Sequence, residues 1–214
     1  IGINGLGRIG RMVLRSIFEE KYKGLKINHI NNRADIRTAC DLIKRDSVHG
    51  KFRAKISIEK NKLIINGNKI TYSQENNLSS ILWKKYNVDI VLECTGKFNS
   101  KDKLISHIKN GAKKVIVSAP CKSADKTIVY GVNHKNISKK DKIISAASCT
   151  TNCLAPVVYV LNNNFGIEKG FMTTIHSYTT DQRMLDNSHK DPRRARSASQ
   201  SIVPTSTGAS KAIG

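Results

Sequence analysis

Within SAASCTTNCLAP, residues 145–156, Cys149 sits among hydroxyl side chains where the residue pattern changes. Ser148 is a favourable N-cap, and Leu154, Val157, Val158 and Leu161 follow at helical spacing. A helix is therefore expected to open here and to end before Asn164-Phe165-Gly166. Cys149 then occupies the first turn, where free N–H groups and the helix dipole stabilise a thiolate, the nucleophilic form of the side chain. Cys153, one turn further on, reads as a packed, inert thiol, and Pro156 removes one internal helical hydrogen bond. A thiol nucleophile works with a base. Among six histidines, His176 stands out because it interrupts the β-branched run MTTIHSYT, read as a strand, where a buried polar ring needs a reason. Spacing alone does not single it out as the base.

A second constellation lies at the start of the chain. IGINGLGRIGRMVLRSIFEE reads as a short apolar strand, then Gly5, Gly7 and Gly10 in G-x-G-x-x-G spacing, then a helix with Ile9, Met12, Val13, Ile17 and Phe18 on its apolar positions. Gly5 permits the turn, Gly7 lets backbone approach a pyrophosphate, and Gly10 lets helix and strand pack closely, with the helix N-terminus facing the anion. A dinucleotide site also needs a ribose partner about 20 residues later. The strand in LKINHINNRAD ends there on Asn31-Asn32-Arg33, without the usual acid, and Asp35 is expected to cap the next helix.

The elements that must position these groups alternate. Apolar runs at VDIVLECTG, AKKVIVSAP, KTIVYGV and KIISAAS read as strands, with a helix at SKDKLISHIKNGA between the first two. Strand–helix alternation predicts an α/β fold with a doubly wound, mostly parallel sheet. KFRAKISIEKNKLIINGNKITYS alternates over shorter segments joined by Asn-Gly and Lys-Asn turns, and reads as inserted antiparallel hairpins.

The 214 residues carry 37 Lys and Arg against 16 Asp and Glu, a net charge of +21 that favours anionic ligands. The basic residues are spread along the chain and form no legible nucleic-acid module. Five cysteines in irregular spacing fit neither a disulfide framework nor a zinc site, so no metal is expected and a reducing compartment is. No apolar run reaches the roughly 18 residues that span a bilayer, and no signal leader is present, so a soluble, cytoplasmic protein is expected. The abrupt start inside the strand IGI and the helical pattern beginning at STGASKAIG suggest a piece of a longer chain.

The ordered segments INGLGRIGR, DSVHGKF, ECTGKF, GAKKVIVSAP, ASCTTNCLAP, GFMTTIHSYTTDQRMLD and HKDPRRARSASQSIVPTSTGASKA closely resemble phosphorylating glyceraldehyde-3-phosphate dehydrogenases. The resemblance implies a Rossmann-type domain over residues 1–148, then the start of an α+β catalytic domain over 149–214, its remainder lying beyond the sequence. It implies that Cys149 is the nucleophile and His176 its base. The cofactor would be bordered by Gly5, Gly7, Arg8, Ile9, Gly10, Asn32, Arg33, Thr95, Gly96, Ser118 and Ser188. Ser148, Thr150, Thr207 and Gly208 would surround the attacking inorganic phosphate, and Thr179 would contact the phosphate of glyceraldehyde 3-phosphate. Erythrose-4-phosphate dehydrogenases are similar, but HSYTTDQ and PTSTGA keep the triose form. A binding protein for nucleic acid on a dehydrogenase frame is the alternative of another class. The basic segment 181–201, which alone could pass for a nucleic-acid arm, is a subunit contact in this family, so the resemblance implies a homotetramer.

The sequence departs from the family pattern at two places near one ligand atom. NAD-specific members have Asp where this chain has Asn32, and Leu-Pro where it has Asn187-Ser188. The acid accepts from the ribose 2′-hydroxyl and repels a 2′-phosphate. Two unit charges about 4 Å apart at an effective dielectric near 20 repel by roughly 4 kcal/mol. Asn32 removes that repulsion, Arg33 adds an attractive charge, and Ser188 is small and can donate a hydrogen bond, as in the NADP-using plastid enzymes. NADP acceptance alongside NAD is therefore expected. Thr180 departs too, without an evident reason.

Overall fold

The computed structural model describes residues 1–20 and 22–209. The helix expected to open near the end of the sequence falls largely outside them. The chain divides into two compact units, Ile1–Ser148 and Cys149–Gly214.

In the first unit β1 (Gly2–Asn4) runs into the glycine turn and α1 (Arg8–Glu19). β2 (His29–Asn31) follows, then α2 (Ile36–Lys44), whose N-cap is Asp35, accepting from the Arg37 and Thr38 N–H groups as its position predicts. β3 (Arg45–Asp46) and β4 (Gly50–Lys51) form a small antiparallel ribbon. β5 (Ile56–Glu59), β6 (Lys62–Ile65) and β7 (Asn68–Ser73) form an antiparallel meander, turning at Lys60 and at Asn66-Gly67 with left-handed backbone. The unit continues through β8 (Ile90–Glu93), α3 (Lys101–Lys109), β9 (Lys114–Val117), β10 (Lys126–Thr127) and β11 (Ile143–Ser145).

Among the described residues these strands build one nine-stranded sheet in the order β10-β11-β9-β8-β1-β2-β7-β6-β5. Every pair from β10 to β7 is parallel. Chain order reverses between β1 and β8, the switch point where such sheets open a crevice at their C-terminal edge. The antiparallel hairpins form as read, and β7 also pairs in parallel with β2, which joins them to the main sheet. One expectation changes. KTIVYGV yields only two strand residues, because Ile128 makes one more bond to Ser145 and the chain then turns through Val129, whose carbonyl accepts from Val132 and Asn133.

Two apolar clusters cover the sheet. One joins Ile3, Leu14, Ile30, Ile43, Leu63, Ile65 and Ile70, and the other gathers Val91, Leu104, Val115 and Ile143 around the fully buried Trp83. Trp83 packs so closely on β1 that a Cβ at Gly2 would stand 2.5 Å from its ring.

The second unit carries α4 (Cys149–Phe165), which contains Pro156 and runs through Asn164 and Phe165 before Gly166 takes positive φ. This helix is longer than expected because the left-handed residue that ends it, a role suited to glycine, is Gly166. MTTIHSYT forms no strand among the described residues. A strand requires a hydrogen-bonded neighbour, and no ladder includes these residues; Ile175 is 91% exposed.

Candidate active site

α4 starts at Cys149, with Ser148 immediately before it, so the thiol does sit in the first turn. The Cys149 Sγ lies 3.2 Å from His176 Nε2. On the other side of the ring, Nδ1 is 2.7 Å from the Ser177 carbonyl oxygen. A carbonyl only accepts, so Nδ1 carries a proton, and in the neutral ring the Nε2 lone pair faces the thiol. Partial burial pushes the Cys149 thiol up, but the hydrogen bond and charge of His176, with the Thr150 N–H and hydroxyl, outweigh it, and its pKa falls. His176 moves upward, through its bond to Ser177 and its contact with the thiol, against a smaller opposing effect of burial. Opposite displacements of two touching groups favour thiolate and imidazolium.

Two expectations about burial are overturned. His176 is exposed on irregular backbone rather than buried in a strand, and its ring is held by the Ser177 carbonyl. Cys153 is exposed rather than packed, because Thr151 is the buried residue of this helix among those described. Other residues singled out in this unit are held locally. The Thr179 N–H donates to Gln182 Oε1 at 3.1 Å, Thr207 Oγ1 accepts from the Ala209 N–H, and a Cβ at Gly208 would meet nothing within 4 Å. The Ser188 hydroxyl turns to Asn187 Oδ1 while its carbonyl accepts from Arg183. Segment 181–201 is braced from within: Arg194 pairs with Asp181, Arg193 with Asp191 and Arg196 with Asp186, so much of its positive charge is already met.

In the first unit Gly5 and Gly10 have the tight turn and the close packing expected of them. Gly5 has φ +93°, and a Cβ there would press on Thr95 at 2.9 Å. A Cβ at Gly10 would stand 2.0 Å from the Gly5 carbonyl oxygen, whereas one at Gly7 would meet only the Cys94 carbonyl at 3.9 Å. Gly7 thus leaves an open cradle at the start of α1, where Gly7, Arg8 and Ile9 are exposed and the first helical bond runs from the Arg11 N–H to the Gly7 carbonyl. That cradle of open space and helix N-terminal N–H groups fits a pyrophosphate. Thr95, Gly96 and Ser118 follow β8 and β9, and Asn32 and Arg33 follow β2, so all lie at the same edge of the sheet.

Several of these side chains already have protein partners. The Arg8 guanidinium forms two 2.8 Å bonds to Asp46, whose carboxyl is held well below the usual carboxylate range by Arg8 and by the His49 and Val48 N–H groups. Arg8 therefore offers its backbone, rather than a free guanidinium, to a ligand. Asn32 accepts from the Leu6 N–H and donates to the Tyr72 hydroxyl, both at 3.0 Å. It pins the glycine turn from the β2 side and presents no charge. Asp46, although it lies within DSVHG, and Asn4, Ser73 and Glu93, which close β1, β7 and β8, were not among the expected site residues, and Asn31 was expected only as the end of its strand.

The fold and glycine turn define a Rossmann-type dinucleotide-binding protein, here with a cysteine–histidine pair in the unit that follows. Residues 1–101 match the family model described as glyceraldehyde 3-phosphate dehydrogenase, NAD binding domain, and residues 148–214 match its C-terminal domain. Over the whole chain it is 50% identical to glyceraldehyde-3-phosphate dehydrogenase of Zymomonas mobilis, covering 64% of that protein, and 50% identical to that of Mycoplasma pneumoniae, covering 63%. Glyceraldehyde-3-phosphate dehydrogenase 2 of Bacillus subtilis is 49% identical and 62% covered. The chain belongs to the glyceraldehyde-3-phosphate dehydrogenase family. It spans a little under two thirds of the length of these relatives. Among the described residues no helix is long and apolar enough to cross a membrane, and no group of three or more His, Cys, Asp or Glu is placed to hold a metal.

Proposed function

We propose that the protein oxidises glyceraldehyde 3-phosphate to 1,3-bisphosphoglycerate, with the first unit as its cofactor domain and the second as the start of its catalytic domain. The observation that carries this reading is the 3.2 Å contact between Cys149 Sγ and the Nε2 of a histidine whose other nitrogen is bonded to a carbonyl. His176 takes the thiol proton as Sγ attacks the aldehyde carbon, returns it to the aldehyde oxygen to give a hemithioacetal on Cys149, and takes that hydroxyl proton again as the carbon gives up its hydride. The Cys149 N–H and the His176 ring face the developing oxyanion. When bound, NAD supplies the hydride acceptor that turns the hemithioacetal into a thioester. An oxygen of inorganic phosphate, held by Ser148, Thr150, Thr207 and Gly208, then attacks the thioester carbon, the carbon–sulfur bond breaks and Cys149 leaves as thiolate, while Thr179 holds the substrate phosphate. Gly5, Gly7, Gly10 and the backbone of Arg8 and Ile9 hold the dinucleotide, with Thr95, Gly96 and Ser118 around it, and Ser188 serves the cofactor of a neighbouring subunit.

The relatives named above carry the triose name, which favours that substrate over the four-carbon aldehyde. Nucleic-acid binding gains no support, since the segment that resembled a basic arm spends Arg193, Arg194 and Arg196 on its own acids. The working form is a cytoplasmic homotetramer with segment 181–201 at a subunit contact. NADP is accepted alongside NAD, because Asn32 brings no charge to the ribose side and exposed Arg33 adjoins it. Initial rates of glyceraldehyde 3-phosphate oxidation by the intact protein, with NAD and with NADP, each with and without phosphate, test the reading. Phosphate-dependent turnover is expected; its absence with both cofactors overturns the reading.

A further inference from the structure

Beneath the glycine turn lies a row of polar side chains, buried except for the half-buried Ser73, that no step above uses. β7, β2, β1 and β8 place Ser73, Asn31, Asn4 and Glu93 side by side in register. The Ser73 hydroxyl donates to Asn31 Oδ1 (2.8 Å), Asn31 Nδ2 to Asn4 Oδ1 (2.9 Å), and Asn4 Nδ2 to Glu93 Oε2 (2.6 Å). His107 Nε2 lies 3.0 Å from the same Oε2, and its Nδ1 is 2.9 Å from the Trp83 indole nitrogen. An indole nitrogen only donates, so Nδ1 is the acceptor and Nε2 carries the ring proton toward Glu93. The other carboxylate oxygen, Oε1, accepts from the Thr95 N–H (2.8 Å) and hydroxyl (2.5 Å). Glu93 is 1% exposed and His107 fully buried.

Thr95 is the residue against which Gly5 packs. We infer that Glu93 is a positioning residue of the cofactor site: through Thr95 it fixes the loop after β8 against the glycine turn, with His107 and Trp83 holding its carboxylate from behind. This rests on the dinucleotide-binding reading of the first unit. The turn is clamped from both sides, by Asn32 on Leu6 and by Glu93 through Thr95. All four groups at the carboxylate donate, so an isosteric amide cannot replace it: its NH2 would face either Asn4 and His107 or the Thr95 N–H, all donors.

The test is a calorimetric titration of the intact protein with NAD, with melting temperatures in parallel. Glu93→Gln should weaken NAD binding about tenfold or more, whereas Leu63→Ala, a core truncation in the antiparallel arm, should leave affinity unchanged when it lowers the melt. Equal affinity in Glu93→Gln and the parent would overturn the inference and reduce the row to a stability element. No NAD binding by the parent would overturn the dinucleotide-binding reading, and this inference with it. Should Glu93→Gln not fold, Thr95→Val and Thr95→Ser decide. Val removes the hydroxyl bond and should weaken NAD binding, and Ser should restore it; identical affinities for both would overturn the proposal.

Discussion

The glycine turn of the first unit and the thiol helix of the second differ in how much protein surrounds them. Around the turn, Asn4, Asn31 and Glu93 are buried, and each is hydrogen-bonded to others in the row. Around the thiol, Cys149 and His176 are exposed, and Phe165, Phe171 and Ile175 are exposed as well. Rigid placement in the first region comes from packing and in the second from one local hydrogen bond to Ser177. Substitutions should therefore act on stability in the first and on reactivity in the second.

The sharpest test of that contrast pairs two glycines. Gly10→Ala drives a methyl into the Gly5 carbonyl, backbone against backbone, and should cost about 3 kcal/mol or more with loss of NAD binding, read by melting and titration. Gly208→Ala, whose Cβ meets nothing, should leave the melt within about 0.5 kcal/mol of the parent. A cofactor contrast comes next. Asn32→Asp restores a negative charge beside the ribose and should lower the NADP-to-NAD ratio of kcat/KM by up to about a thousandfold; an unchanged ratio would remove the electrostatic basis of NADP acceptance.

The second region is probed by pH. The Cys149 pKa lies below that of an ordinary thiol and the His176 pKa above that of an ordinary imidazole, so each group favours the charged form of the other. In His176→Asn the thiol loses its partner and its titration moves upward. Alkylation by iodoacetamide at neutral pH should then slow several-fold, with little change in the melt. The smallest effect belongs to Asp125, whose pKa is lowered to about 2, mainly by the Lys101 hydrogen bond and also by the Ile143 and Lys142 N–H groups. A depressed carboxylate stabilises the fold above its unfolded value, about 4, and that contribution disappears as pH falls toward about 2. Asp125→Asn should flatten the acid limb of melting temperature against pH.

Legibility in the sequence divides along the same line. Gly5, Gly7 and Gly10, the Asp35 cap and the parallel strands were readable because each follows from local spacing and backbone sterics. Cys149 at a helix start was readable for the same reason. The strand expected at MTTIHSYT was not realised, since β-branched composition marks a segment that can pair but not whether a neighbour is there to pair with. Burial at Cys153 failed likewise, because helical spacing places a residue on a face without saying what covers it. The Arg8–Asp46 and Glu93–His107 pairs join residues 38 and 14 positions apart and needed the fold itself. The one local sign of the row that holds Glu93 was that β1, β2, β7 and β8 each close on a polar residue.

That polar row also bears on how the sheet assembles. Short apolar strands such as GIN and IVLE could slide past one another with little to choose between neighbouring alignments. A slip of one residue would set the Glu93 carboxylate opposite Ile3 instead of Asn4, taking away one of its donors and burying a charge against an aliphatic chain. The same side chains that steady the finished turn would thus reject misaligned intermediates during folding, a proofreading device written across four strands.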